Sequence, residues 1–127
     1  MLRIFLAALF FLPALAGAAD YKKHFIVANK VAKAEGEPWI DEYRTNTKDF
    51  ERGKDPSAAI AEFNYLAFDG SVASSIRLCA IYAYGVESEV NPIAGLFWCG
   101  KAYEAGYKAA ESIRRELFLK HWPEYEG

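Results

Sequence analysis

The sequence predicts an all-α fold, a short solenoid of about six helices arranged as αα-hairpins. Three observations predict it. Apolar residues recur at steps of three and four, the helical period, while Val and Thr are sparse. No Asn-Gly or Asp-Gly pair sits between alternating runs, so hairpin signals are poor. Pro56 and Pro92 stand 36 residues apart, and so do Gly70 and Gly106. Self-similarity at a fixed step in this range marks stacked two-helix units, because one unit cannot bury its apolar face alone.

The first 18 residues read as a secretory signal peptide. Arg3 supplies a positive charge, Ile4 to Leu12 is an unbroken apolar run, and Pro13 breaks it. Small residues follow, and Ala16-Gly17-Ala18 suits cleavage after Ala18. The apolar run is too short to span a bilayer, which takes about 20 residues. The mature chain is expected to cross an inner membrane into a bacterial periplasm. After cleavage, no stable membrane insertion is expected.

Tyr21 to Ala34 reads as the first helix, stopped by Glu35-Gly36-Glu37-Pro38. Trp39, Tyr43 and Phe50 restart a helical stripe. Asp55 then suits an N-cap and Pro56 the first helical position. The third helix, Ala58 to Phe68, ends at Asp69-Gly70, since Gly favours the position just past a C-terminus. Val72 to Tyr84 is the fourth helix, ended by Gly85. Asn91-Pro92 repeats the Asp-Pro start, Ile93 to Ala105 is the fifth helix, and Tyr107 to Lys120 the sixth. Residues 121–127 form a C-terminal tail, in which Pro123 and the acidic end Glu124-Tyr125-Glu126-Gly127 are expected to fray.

The residues of these units resemble a known family. Gly70-x-x-x-Ser74-x-x-x-Leu78-Cys79-x-x-Tyr82-x-x-Gly85-Val86 looks like the first helix of a Sel-one-like repeat. Asn91-Pro92-x-x-Gly95-x-x-Trp98-x-x-Lys101-Ala102-Tyr103-x-x-Gly106 looks like its second helix. The resemblance runs over residues 54–120, and departs from the family where Cys79 replaces the usual Gly and Gly95 the usual Ala. Residues 19–53 match poorly and read as a degenerate unit or a cap. The resemblance implies tetratricopeptide-like helix pairs and an adaptor role. It also implies kinship with exported members whose helix pairs are stapled by cysteines.

Hairpin symmetry points to the same staple. Cys79 and Cys99 are symmetric about position 89, as are Ala83 and Gly95, and the loop Gly85 to Asn91 is centred one residue away, at Ser88. Cys79 and Ala83 share one helix face, and Gly95 and Cys99 share a face of the next helix, each two being four residues apart. Packed helices are normally about 8–10 Å apart, whereas a disulfide wants Cα atoms about 5–6 Å apart. The small neighbours supply that approach. A Cys79–Cys99 bond across about 20 residues is worth about 3 kcal/mol by the loop-entropy model.

Catalytic signals are weak. His24 and His121 are the only histidines, and neither belongs to a ligand pattern. No nucleophile elbow, S-x-x-K, P-loop or dinucleotide fingerprint is present. No catalytic residue, metal site or cofactor is therefore assigned. The formal charge is −2, near −3 without Arg3, and argues against nucleic acid as partner. Aromatic residues make up 16% of the chain, more than a small core needs. Phe63, Tyr82 and Phe97 or Trp98 fall at packing positions, leaving Tyr84, Tyr103, Tyr107, Trp122 and Tyr125 as surplus. The leading expectation is a protein partner, bound on a solenoid face carrying Arg77, Ile81, Tyr84 and Tyr107. An immunity protein that neutralises a periplasmic effector is the specific form that the resemblance implies. Its alternatives are a hydrolase or binder of β-lactam or cell-wall material, and a structural envelope protein.

Overall fold

The computed structural model describes residues 20–125. The predicted signal peptide and the last two residues lie outside them. The described chain is all-α, with no strand. Its helices are α1 (Tyr21–Glu35), α2 (Ile40–Glu51), α3 (Pro56–Phe68), α4 (Val72–Tyr84), α5 (Pro92–Glu104) and α6 (Ala110–His121). A 3-10 turn, Pro123–Tyr125, follows, so the tail expected to fray is folded as far as Tyr125. Tyr125 lies against Phe118, which also stacks on Trp122.

The 36-residue register is visible in the backbone. Asp55 Oδ1 accepts from Ala58 N at 3.2 Å, and Asn91 Oδ1 accepts from Ala94 N at 3.1 Å. Each cap places a Pro at the helix start, where a missing N–H costs nothing. The two helices also end alike. Ser71 N donates to Leu66 O and Tyr107 N to Ala102 O, closing the same six-residue C-terminal motif. That motif requires positive φ at Gly70 and Gly106, which adopt 118° and 113°. It also delays α6 to Ala110, because Tyr107 to Ala109 form a turn before the helix begins.

Helices α2 to α6 pack successively in chain order. Helix α4 is the centre, touching α1, α3, α5 and α6 and burying ten of its thirteen residues. Helix α1 breaks the order. It packs on α4 far more extensively than on its neighbour α2. Its Ala28 and Ala32 are buried, giving α1 a flat face for that approach. Glu35, at its C-terminal end, accepts from Val72 N at 2.7 Å and Ala73 N at 3.2 Å. A carboxylate there satisfies orphan donors and faces the positive end of the helix dipole. Ser71 Oγ accepts from Ser74 N and completes the cap.

The α4–α5 hairpin closes as its symmetry predicts. Cys79 and Cys99 are disulfide-bonded with Cα atoms 4.5 Å apart. One turn away, a Cβ on Gly95 would lie 2.5 Å from Leu117 Cδ2 and 3.6 Å from Ala83 N. Leu117 of α6 thus occupies the space that an alanine at 95 would need. Gly100 lies on the same helix with nothing within 4 Å of its Cβ direction. Gly95→Ala is expected to lose about 1 kcal/mol, overpacking of about 1–3 kcal/mol outweighing a helix-propensity gain of up to about 1 kcal/mol. Gly100→Ala keeps only the gain. Urea unfolding of the pair checks this, and equal midpoints for both variants would refute it.

Candidate functional site

Arg77 and Ile81 are both 0% exposed, which corrects their expected place on a binding face. The physical reason is α1, whose return across α4 covers the side on which Arg77 lies. The guanidinium carbon sits 4.1 Å from the Phe25 ring centroid, 5.4 Å from Phe63 and 5.6 Å from Tyr43. Its Nε donates to the Tyr43 hydroxyl at 3.1 Å and its Nη2 to Asn29 Oδ1 at 2.9 Å. The Tyr43 hydroxyl donates to the same Asn29 oxygen at 2.9 Å. Burial raises the Tyr43 pKa, and the Arg77 charge opposes that rise. Among the described residues no carboxylate pairs with Arg77, and its Nη1 has no hydrogen-bond partner. Aromatic faces and two neutral oxygens take the place of a counter-ion.

Tyr84 and Tyr107 are half-buried around His24, which is itself buried. The Tyr107 hydroxyl hydrogen-bonds His24 Nδ1, and Tyr84 stacks on the imidazole with centroids 6.0 Å apart. Burial lowers the His24 pKa, and Lys23 adds to that effect against Asp20. A neutral ring with its hydrogen on Nε2 accepts a hydrogen bond from the Tyr107 hydroxyl at Nδ1. Burial also raises the Tyr84 and Tyr107 pKa values. The four residues expected to share one face therefore lie in two different interior clusters or in the packed core.

The open apolar surface is elsewhere, on α3 and α5. Phe68 is 72% exposed and Phe97 is 44% exposed, so of the two alternatives Phe97 and Trp98 it is Trp98, 4% exposed, that takes the core position. Both rings rest on buried Trp98, at 4.9 and 4.8 Å, and lie 6.1 Å from each other. Ile93, one turn before Phe97, is 68% exposed, and Tyr65, one turn before Phe68, is 66% exposed. Lys101 Nζ approaches the Phe97 ring to 5.6 Å. A sequence signal existed, because apolar residues wrap most of α3 and α5 and one buried face cannot use them all.

The serines at the start of α4 are engaged in structure. Ser71, Ser74 and Ser75 are buried at the α4 cap. Among the described residues no group of three His, Cys, Asp or Glu is placed to hold a metal ion. No helix among them is long and apolar enough to cross a membrane. No family model, curated protein or solved structure matches the chain.

Two outcomes are expected. Arg77→Ala should cost at least about 2 kcal/mol through the cavity it opens, and Arg77→Met, which keeps the volume and deletes the charge, should cost less. Chemical denaturation ranks them, and wild-type midpoints for both would show that the cage carries no stability. For His24, the folded pKa lies below the unfolded value of 6.5. The unfolded chain then binds the extra proton first, so stability is full above about pH 6.5 and falls as pH drops toward the folded value. His24→Gln should flatten the melting temperature between pH 7.5 and 5.5, and an identical slope in wild type and variant would contradict this.

Proposed function

We propose that the mature chain is an exported helix-pair scaffold that binds a protein partner through the aromatic surface of α3 and α5. The observation that carries this reading is the pair of exposed rings, Phe68 and Phe97, resting on buried Trp98, with Tyr65 and Ile93 exposed one turn before them on the same helices. Contiguous exposed apolar surface is unusual on a chain that acts alone and marks interaction sites. Rings held by a buried tryptophan lose little freedom on binding, which suits them to act as interface anchors. Lys101 at the edge of Phe97 adds a rim cation, the arrangement that orients a partner with an acidic border.

The assignment to Sel-one-like repeats is supported by the matched caps and C-terminal motifs at a 36-residue offset. The Cys79–Cys99 bond and the leader-like first 18 residues support an oxidising, periplasmic setting. In its specific form the proposal is an immunity protein, whose aromatic surface covers a secreted effector.

The test expresses the full chain with its leader and a C-terminal tag, and isolates it from the periplasm. Wild type and a Phe118→Ser control outside the cluster should retain one stoichiometric partner. A Phe68→Ser/Phe97→Ser variant should bind that partner at least about tenfold more weakly with an unchanged helical spectrum. Retention of the partner by the double variant, or recovery of none by wild type, would overturn the reading.

A further inference from the structure

Helices α2 and α3 enclose a groove of about 500 Å³ that the aromatic surface does not use. That volume is within the range of small-ligand sites. Five carboxylates line it, Asp41, Glu42 and Asp49 from α2 and Asp55 and Glu62 from α3, against the single cation Lys54. The excess is large for a chain whose formal charge is −2. Among the described residues none of the five is in an ion pair; the ion pairs there join Glu111 to Arg114 and Arg115.

Local structure accounts for part of this cluster. Asp41 and Glu42 lie in the first turn of α2, where the helix dipole favours an anion, and Asp55 caps α3. Asp49 and Glu62 have no such reason. Both are half-buried, and Asp49 lies in the last turn of α2, where the dipole opposes its charge.

The floor of the groove adds an independent feature. Asn46 lines it and is only 8% exposed. Its Nδ2 donates to Ala59 O at 2.7 Å, which fixes the amide orientation and ties α2 to α3. Its Oδ1 accepts no hydrogen bond from the described residues, yet is not sealed in the core, so it opens onto the groove. Buried polar groups are normally satisfied, and an acceptor left open between carboxylates calls for an N–H donor. Ala58 and Ala59 make the floor beside it apolar. The Asn46–Ala59 bond also sets the antiparallel register, with Asp49 toward Asp55 and with Asp41 and Glu42 toward Glu62. Asp41 and Asp49 are eight residues apart on α2, about 12 Å at a rise of about 1.5 Å per residue, with Asn46 between them. Charge thus stands at both ends of the groove, and among the described residues no three acids converge to hold a metal ion.

From this juxtaposition we infer that the α2–α3 groove binds a linear aliphatic polyamine. One end ammonium lies by Asp49 and Asp55, and the other by Asp41, Glu42 and Glu62. An inner ammonium donates to Asn46 Oδ1, and the methylenes lie over Ala58 and Ala59. Lys54, whose N–H bonds Asp49 O, competes with the ligand at the Asp49 end.

The test titrates the mature, disulfide-bonded chain with spermidine, 1,8-diaminooctane, octylamine and magnesium chloride at low ionic strength, where exposed charges are least screened. Amide shifts are followed by NMR. Saturable shifts at Asn46, Asp49 and Ala59 are expected with spermidine. The diamine has the same length without the inner nitrogen and should bind at least about tenfold more weakly. Octylamine, which also lacks one end charge, should bind more weakly still, and magnesium, a charge without a chain, should give no saturable shift at Ala59. Asp49→Asn/Glu62→Gln should weaken spermidine at least about tenfold without lowering the melting temperature. Lys54→Met should tighten it. Glu104→Gln/Glu124→Gln removes as much charge elsewhere and should leave the affinity unchanged. No saturation by spermidine, equal affinity for any of the three comparison compounds, or equal losses in the groove variant and the distant one would overturn the proposal.

Discussion

Arg77 is a cation held wholly out of water without a carboxylate beside it. Moving such a group into a protein interior is costly unless its charge and its donors are met. Here they are met by parts that arrive from three directions. Phe25 and Asn29 come from α1, Tyr43 and Phe50 from α2, and Phe63 from α3. No one of these helices can shelter the guanidinium alone. Formation of α4 as a buried helix therefore requires all three, and this couples the N-terminal half into one cooperative unit. The rings also contact one another, with Phe50 and Phe25 edge-on at 6.0 Å and Phe50 and Phe63 at the same distance. The cage thus keeps its shape through aromatic packing and offers its faces to the cation.

The other side of α4 is built by a different means. Small residues, Ala83 and Gly95, bring α5 close, and the Cys79–Cys99 bond closes that approach covalently. Helix α1 is pinned against α4 at both ends. Glu35 caps the start of α4, while His24 meets Tyr84 near its finish and Tyr107 beyond α5. These two contacts require α1 to run antiparallel to α4. They make α1 a brace across the hairpin array and not merely its first member.

This brace explains which features the sequence disclosed. Helix starts and stops were readable because Asp55-Pro56, Asn91-Pro92, Gly70, Gly85 and Gly106 act through bonds within a few residues. The cysteine pairing was readable because an antiparallel hairpin fixes it by symmetry. The face assignment failed where it depended on contacts between distant segments. Arg77 is covered by residues 48 and 34 positions earlier, Asn29 and Tyr43, and no periodicity within α4 announces them. Glu35 reads locally as a helix stop, yet its carboxylate serves a helix end 37 positions later. Phe97 carries the same spacing signal as its buried neighbour Trp98, and only the absence of a covering helix separates them. The surplus of aromatics was visible by composition, while its place on α3 and α5 was not.

The exposed rings follow from the same geometry. A helix array grows by adding a neighbour to each face in turn, and here α4 receives neighbours on every side. Helices α3 and α5 keep outward faces that nothing among the described residues covers. In an ordinary surface helix those positions would be polar. Phe68, Phe97 and Ile93 instead sit on helices with satisfied N-caps and closed C-terminal motifs, so their backbone positions are fixed before any partner arrives. Pre-ordered rings give up less entropy on binding than the same rings on a loop.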